Sequence, residues 1–255
     1  MEHKKFQILG VNISAINLQS AGQILGQYIR SGQPHYVCVA PVSTVVSCQE
    51  NEAYKNVVNG AAMVTPDGMP VVWLAKLLGQ AEVSRTYGPD LMLKICEEGE
   101  GKGYRHYFFG ADDATLHKLE NTLRGKFSKI NIVGSYAPPF RPLTEEENND
   151  ILKKIREVNP DLVWVGLGSP KQDFWMKENF QRLNVPVLLG VGAAFDFISG
   201  VKPQAPRLLQ KSGLEWLFRL CCEPKRLWRR YFFGNTKFIF LIMKSLLTQG
   251  TVRKV

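Results

Sequence analysis

Between residues 35 and 190, six short runs of β-branched, aliphatic or aromatic residues alternate with stretches of helical length, and no other feature narrows the fold so far. Strands are expected at 35–39, 61–65, 105–109, 129–133, 161–165 and 186–190. Helices are expected at 18–31, 42–59, 69–78, 90–99, 112–127, 144–159 and 169–183. Thr144-Glu-Glu-Glu147 reads as a capping box, and Asp90 and Asp112 stand where N-caps belong. An earlier apolar run, Ile8-Leu-Gly-Val-Asn-Ile13, also reads as strand. Alternation of this kind implies parallel pairing, because each helix carries the chain back along the sheet before the next strand begins. The expected fold class is therefore α/β, a mostly parallel sheet flanked by helices. In such sheets ligands collect beyond the carboxyl ends of the strands.

From Pro206 onward the strand signals stop and the pattern becomes helical, with a break at Glu223-Pro224 because proline disfavours helix at the residue before it. Two helices are expected in this appendage. Residues 202–255 hold 12 Lys and Arg against Glu215 and Glu223, a net of +10, which leaves residues 1–201 at −1 of the +9 total. The division expected is a catalytic domain at 1–201 and a basic appendage at 202–255. Arg207, Arg219, Arg226, Arg229 and Arg230 share the appendage with Trp216, Leu217, Leu220, Leu227, Trp228 and Tyr231. Basic amphipathic helices with aromatic residues settle at anionic membrane surfaces, each nearby cation contributing about 1 kcal/mol. Nucleic acid, or plain packing with solvated basic faces and both tryptophans in the core, would use the same composition.

Other classes are poorly served. The longest apolar tract, 238–243, is far shorter than the roughly 20 residues of a spanning helix. No basic and apolar leader pattern opens the sequence, so a cytoplasmic location is expected. Five cysteines without C-x-x-C spacing argue against disulfides and zinc. Four histidines without paired spacing, and no D-x-D motif, give no metal site. No G-x-S-x-G elbow is present, and Ser169 lacks an evident histidine base.

The richest motif is Asp161-Leu-Val-Trp-Val-Gly-Leu-Gly-Ser-Pro-Lys-Gln172, a buried strand, a glycine turn and a helix start. Backbone N–H groups of Gly166 and Gly168 could approach an anion, with the helix N-terminus adding donors and a favourable dipole. The same glycines could simply make a turn. A dinucleotide fingerprint would want glycine where Lys171 stands. Gly190-Val-Gly192 repeats the theme after the next strand, and Gly110 ends another. Asp67, in Val64-Thr65-Pro-Asp-Gly68, ends a strand where a general base or a sugar-hydroxyl ligand would sit, though turn and cap aspartates are as common there. Arg85 lies in a glycine-proline loop and is of interest to any anionic leaving group.

Taken together, Thr65-Pro-Asp-Gly68, Arg85 with Gly88 and Asp90, Asn159-Pro-Asp161, Gly166 to Asp173, Gly192-Ala-Ala-Phe-Asp196, Gly213 to Leu220 and Glu223 to Trp228 resemble the WecG/TagA/CpsF family of bacterial glycosyltransferases. The match runs nearly end to end, in order. The resemblance implies a Rossmann-like core and a membrane-docking C-terminal appendage. It implies an inverting, metal-independent transfer, with no cofactor, from a UDP-sugar to a polyprenyl-diphosphate-linked saccharide on the inner face of the cell membrane. It implies Asp67 as catalytic base and Arg85 beside it. It places Thr65, Gly110, Gly166, Gly168, Lys171, Gln172 and Gly192 with the donor, and the tail arginines over the diphosphate or the membrane. One departure follows the strand at 35–39, where the family commonly shows a threonine and an asparagine two residues apart and this chain has Val39 and Pro41. Sugar contacts there must differ. Two other readings compete: a nicotinamide-dependent oxidoreductase using the glycine turns, and a non-enzymatic nucleic-acid binder using the tail.

Overall fold

The structure is a computed structural model and describes residues 3–247. In chain order the elements are β1 (Lys5–Ile8), β2 (Val11–Ser14), α1 (Leu18–Ser31), β3 (His35–Ala40), α2 (Val42–Glu50), α3 (Glu52–Asn59), β4 (Met63–Pro66), α4 (Met69–Leu77), α5 (Gly88–Glu100), β5 (Arg105–Gly110) and α6 (Asp113–Lys126). There follow β6 (Asn131–Tyr136), α7 (Glu145–Glu157), β7 (Leu162–Gly166), α8 (Lys171–Leu183), β8 (Val187–Gly190), α9 (Ala194–Ile198), α10 (Arg207–Lys211), α11 (Glu215–Cys222) and α12 (Pro224–Leu247). Six strands form one sheet in the order β4-β3-β8-β7-β5-β6, and the pairs β3–β8, β8–β7, β7–β5 and β5–β6 are parallel. The α/β class expected from the alternation is the class observed.

Local chemistry explains the departures from the sequence pattern. The helix expected over 42–59 is two, because Asn51 adopts an extended conformation and its side chain accepts from Tyr54 N–H, capping α3. The run from Ile8 to Ile13 is a hairpin rather than one strand: Leu9 and Gly10 both take positive φ, 51° and 74°, and turn β1 antiparallel onto β2. Asp90 is not an N-cap, since α5 begins two residues earlier at Gly88-Pro89, where proline suits a first turn. Asp112 does cap α6, accepting from Thr115 N–H, and Thr144 with Glu147 forms the complete capping box of α7. The appendage has three helices rather than two, with the expected break at Glu223 and an added short α10.

The chain folds as two compact units. One comprises residues 20–38 and 88–202, the other the described parts of 1–19, 39–87 and 203–255. The first unit is cored by Trp164, Phe108, Phe109 and Phe195, all fully enclosed. Trp164 Nε1–H donates to His106 Nδ1 at 3.1 Å, and burial pushes the His106 pKa down to about 4. In the second unit the β1–β2 hairpin supports β4, Val64 N–H donating to Ser14 Oγ at 3.0 Å. There α12 lies along α2, with Leu227, Phe238 and Ile242 buried and Lys237 paired to Glu50 at 2.6 Å.

Candidate active site

Two groups of the expected site residues assemble, one in each unit. In the first unit, β7 ends at Gly166 and α8 begins at Lys171, with Gly168 at φ +79° in the turn and a cis Ser169–Pro170 bond before the helix. Gln172 is almost fully buried. Its Oε1 accepts from both Gly168 N–H and Gly192 N–H, each at 3.1 Å, and its Nε2 donates to Ser169 Oγ at 3.3 Å. One side chain thus ties together the turns that follow β7 and β8, and it takes up two of the backbone donors that an anion would use. Lys171 stands exposed at the head of α8.

The strand-end glycines here are required by packing. A Cβ on Gly110 would fall 2.5 Å from the Gly166 carbonyl carbon, and Gly110 has φ +131°. A Cβ on Gly166 would meet the Phe195 ring at 2.6 Å, and one on Gly190 would meet Gln172 and Met176 at 2.7 Å. Side chains at these places would part β5 from β7 and lift α8 and α9 from the sheet. Gly168 is different, because nothing lies within 4 Å of its Cβ direction and only its positive φ demands glycine.

The other group is electrostatic. Asp67 follows β4, its N–H donates to Ala40 O at the end of β3 at 3.4 Å, and Gly68, with φ +93°, turns the chain into α4. The loop before α5 is held alongside, Thr86 N–H donating to Pro66 O at 2.9 Å and Ser84 N–H to Ile16 O at 3.3 Å. That loop presents Arg85, whose Nε–H donates to Asp67 Oδ1 at 3.2 Å while Nη2 lies 2.6 Å from Glu215 Oε2 of α11. The guanidinium also sits 4.0 Å above the Tyr87 ring. Exposure of the Asp67 and Arg85 side chains is 15%, and that of Glu215 is 12%.

Burial raises the pKa of Asp67 above the ordinary carboxylate value; Arg85 opposes this, Glu215 adds to it, and Arg219 opposes it more weakly. Burial also works against the charge of Arg85, but Asp67 and Glu215 outweigh it and its pKa rises. Tyr87 is raised as well, first by burial and then by the two carboxylates. The cluster therefore offers a largely enclosed acid with increased proton affinity and one cation held between two anions.

Of the remaining expected residues, Thr65 is fully buried in β4, and among the described residues its Oγ1 has no hydrogen-bond partner. Arg219 is brought close enough to act on Asp67, whereas Arg207, Arg226 and Arg229 are exposed on the appendage. Arg226 pairs with Glu223, and Arg229 lies 5.3 Å over the Trp228 ring. The side chain of Arg230 lies outside those described. Trp216 and Trp228 are 37% and 46% exposed rather than core. Val39 is buried and Pro41 precedes α2, so apolar groups end β3. No helix among the described residues is long and apolar enough to cross a membrane. Glu215 and Tyr87 are the residues that sequence reasoning missed. Glu215 carried one signal, as one of two acids in a basic segment.

Fold and site together define an α/β protein in which an enclosed carboxyl and a second carboxylate share one arginine. Comparison with known proteins gives the family: the chain belongs to the glycosyl transferase WecG/TagA/CpsF family, whose model matches residues 6–251. Among curated relatives, the N-acetylglucosaminyldiphosphoundecaprenol N-acetyl-beta-D-mannosaminyltransferase of Bacillus spizizenii is 28% identical over 217 residues, covering 85% of this chain and 82% of the relative. The chain is a glycosyltransferase, and membership of the family sets the oxidoreductase and non-enzymatic readings aside.

Proposed function

We propose that the protein transfers a sugar from a UDP-sugar to a saccharide carried on a polyprenyl diphosphate, with inversion at the anomeric carbon, while docked on the inner face of the cell membrane. The name of the Bacillus spizizenii relative, which specifies a diphosphoundecaprenol-linked N-acetylglucosamine acceptor, supports this acceptor class. The observation that carries the reading is the state of Asp67, an enclosed carboxyl whose pKa is raised by burial although Arg85 is bonded to it. A general base must be ionised yet hold a proton well, and its best pKa lies towards the working pH.

In this reading Asp67 takes the proton of the acceptor hydroxyl as its oxygen attacks the anomeric carbon. The bond from that carbon to the UDP oxygen breaks, and UDP leaves with the electron pair. Arginines of the appendage, Arg219 first and then Arg207, Arg226, Arg229 and Arg230, supply positive charge to the diphosphates, a task that does not call on a metal. The turn from Gly166 to Gln172, with Gly110 and Gly192 beside it and Lys171 at the head of α8, binds the nucleotide, and Thr65 shapes the donor side of β4. Val39 and Pro41 leave the end of β3 apolar, so the donor sugar differs in its contacts there from donors of relatives with polar residues.

Asp67→Asn is expected to lower kcat by about 10² to 10⁴, a loss of roughly 3 to 5 kcal/mol of transition-state stabilisation. UDP release from a panel of UDP-sugars, with N-acetylglucosaminyl-diphosphoundecaprenol in vesicles, measures it. Calorimetric UDP affinity is expected to stay near that of the wild type. Turnover equal to the wild type would take Asp67 out of the base role.

A further inference from the structure

The appendage contributes an acid to the cluster around Asp67, and none of the roles above uses it. Glu215 is the first residue of α11, is largely buried, and lies 2.6 Å from Arg85 Nη2, while Asp67 takes the neighbouring Nε–H. A second contact fixes the same place. Gly213, at φ +77°, seats against α4, where a Cβ would stand 2.7 Å from Trp73 Cη2 and 3.3 Å from Met69 Cβ. The start of α11 is thus pressed onto the helix that follows Asp67, leaving no room for a side chain at the seam.

We propose that Glu215 is a positioning residue of the transfer reaction: entering from the appendage, it holds Arg85 between two carboxylates, so that the active arrangement of Asp67 exists only while α11 is docked on α4. The inference rests on Asp67 as the base. Its physical content is charge sharing. A carboxylate that has a guanidinium to itself is a poor base, because the cation favours the ionised form. A second carboxylate on the same guanidinium draws off part of that attraction and repels the charge of the first. It also keeps Arg85 from swinging wholly onto Asp67 and covering the oxygen that must meet the acceptor hydroxyl.

The charged and titratable groups that face Asp67 are Arg85 and Tyr87 of the loop before α5, and Glu215 and Arg219 of α11. Glu215 acts to raise the pKa of Asp67 and Arg219 to lower it, the first being the larger influence. Two carboxylates balance two guanidiniums, which makes a buried cluster of this density tolerable.

Carboxyl-¹³C NMR titration of full-length protein labelled at the aspartate side-chain carboxyl tests this without a sugar substrate, the Asp67 signal being the one lost in Asp67→Asn. In Glu215→Gln the midpoint of Asp67 is expected to move to lower pH, since the charge that raised it is gone and Arg85 is left to Asp67. Glu215→Asp, which keeps the charge, is expected to return the midpoint towards the wild-type position. UDP release in Glu215→Gln is expected to fall at least about tenfold in kcat, the loss of a weakened base. An unmoved Asp67 midpoint in Glu215→Gln would overturn the proposal. Should Glu215→Gln not fold, Gly213→Ala decides instead: it displaces α11 from Trp73 with every charge kept, and a lowered midpoint supports the proposal while an unmoved one overturns it. Full turnover in Asp67→Asn would instead remove the base reading. An inactive Asp67→Asn together with an unmoved midpoint in Glu215→Gln sinks only the role of Glu215.

Discussion

Asp67 is held at a cost. Its folded pKa lies above that of an exposed carboxylate, so the native state keeps a proton at pH values where the unfolded chain has already released it. Stability from this group is complete below the unfolded pKa and is lost as pH rises through the folded one. Above that folded pKa the ionised, enclosed carboxylate therefore weakens the fold. Asp67→Asn is expected to melt at a higher temperature than the wild type at pH 7, with the difference shrinking as pH falls below the carboxylate range. Scanning calorimetry at a series of pH values reads this, and a lower melting temperature at pH 7 would show that the bond to Arg85 outweighs the burial. Asp67 could be picked out from the sequence because it stands among turn residues at a strand end, and Arg85 because it lies in a glycine-proline loop. Glu215 could not be placed, since its partner Arg85 lies in a distant part of the chain and only the folded second unit brings α11 to that loop.

At the level of elements, the alternation of strand and helix was legible because buried parallel strands and their covering helices each impose a residue pattern of their own. What escaped were places where one residue redirects the backbone. Asn51 splits a helix by capping the next, and Leu9 with Gly10 turns an apolar run back on itself. The strand-end glycines also read ambiguously, as phosphate cradle or as packing. In the fold their parts differ: Gly110 and Gly166 keep β5 and β7 close, whereas Gly168 serves the turn. Gly110→Ala is therefore expected to destabilise the protein by about 3 kcal/mol, combining overpacking with a disfavoured positive φ. Gly168→Ala bears only the backbone penalty and is expected to cost about 1 kcal/mol. Urea unfolding of the two variants measures the contrast. Equal costs would mean that the close approach at Gly110 relaxes without penalty.

For the whole molecule, the question is what meets the appendage. Its basic charge was evident in the sequence, but the sequence alone left membrane, nucleic acid and simple packing open. In the structure α12 does pack, through Leu227, Phe238 and Ile242, and yet it leaves Phe232, Phe233, Ile239, Phe240, Met243 and Leu246 exposed beside Arg226 and Arg229. Nucleic-acid phosphates account for the cations and leave those apolar side chains in water, whereas an interfacial helix uses both. Burying one such side chain contributes about 1.5 to 3 kcal/mol, and each cation about 1 kcal/mol near an anionic surface. Replacing Phe232, Phe233 and Phe240 together by serine is thus expected to weaken binding to phosphatidylglycerol-containing vesicles by more than about 100-fold, with the fold kept because all three are exposed. Arg226→Gln with Arg229→Gln is expected to weaken it by about tenfold to thirtyfold, and most at low salt, because only that component is screened. Co-sedimentation across a salt series distinguishes the two variants. Wild-type protein that ignored anionic vesicles but was retained by nucleic acid in a salt-sensitive way would contradict membrane docking and leave the exposed aromatic face without a purpose.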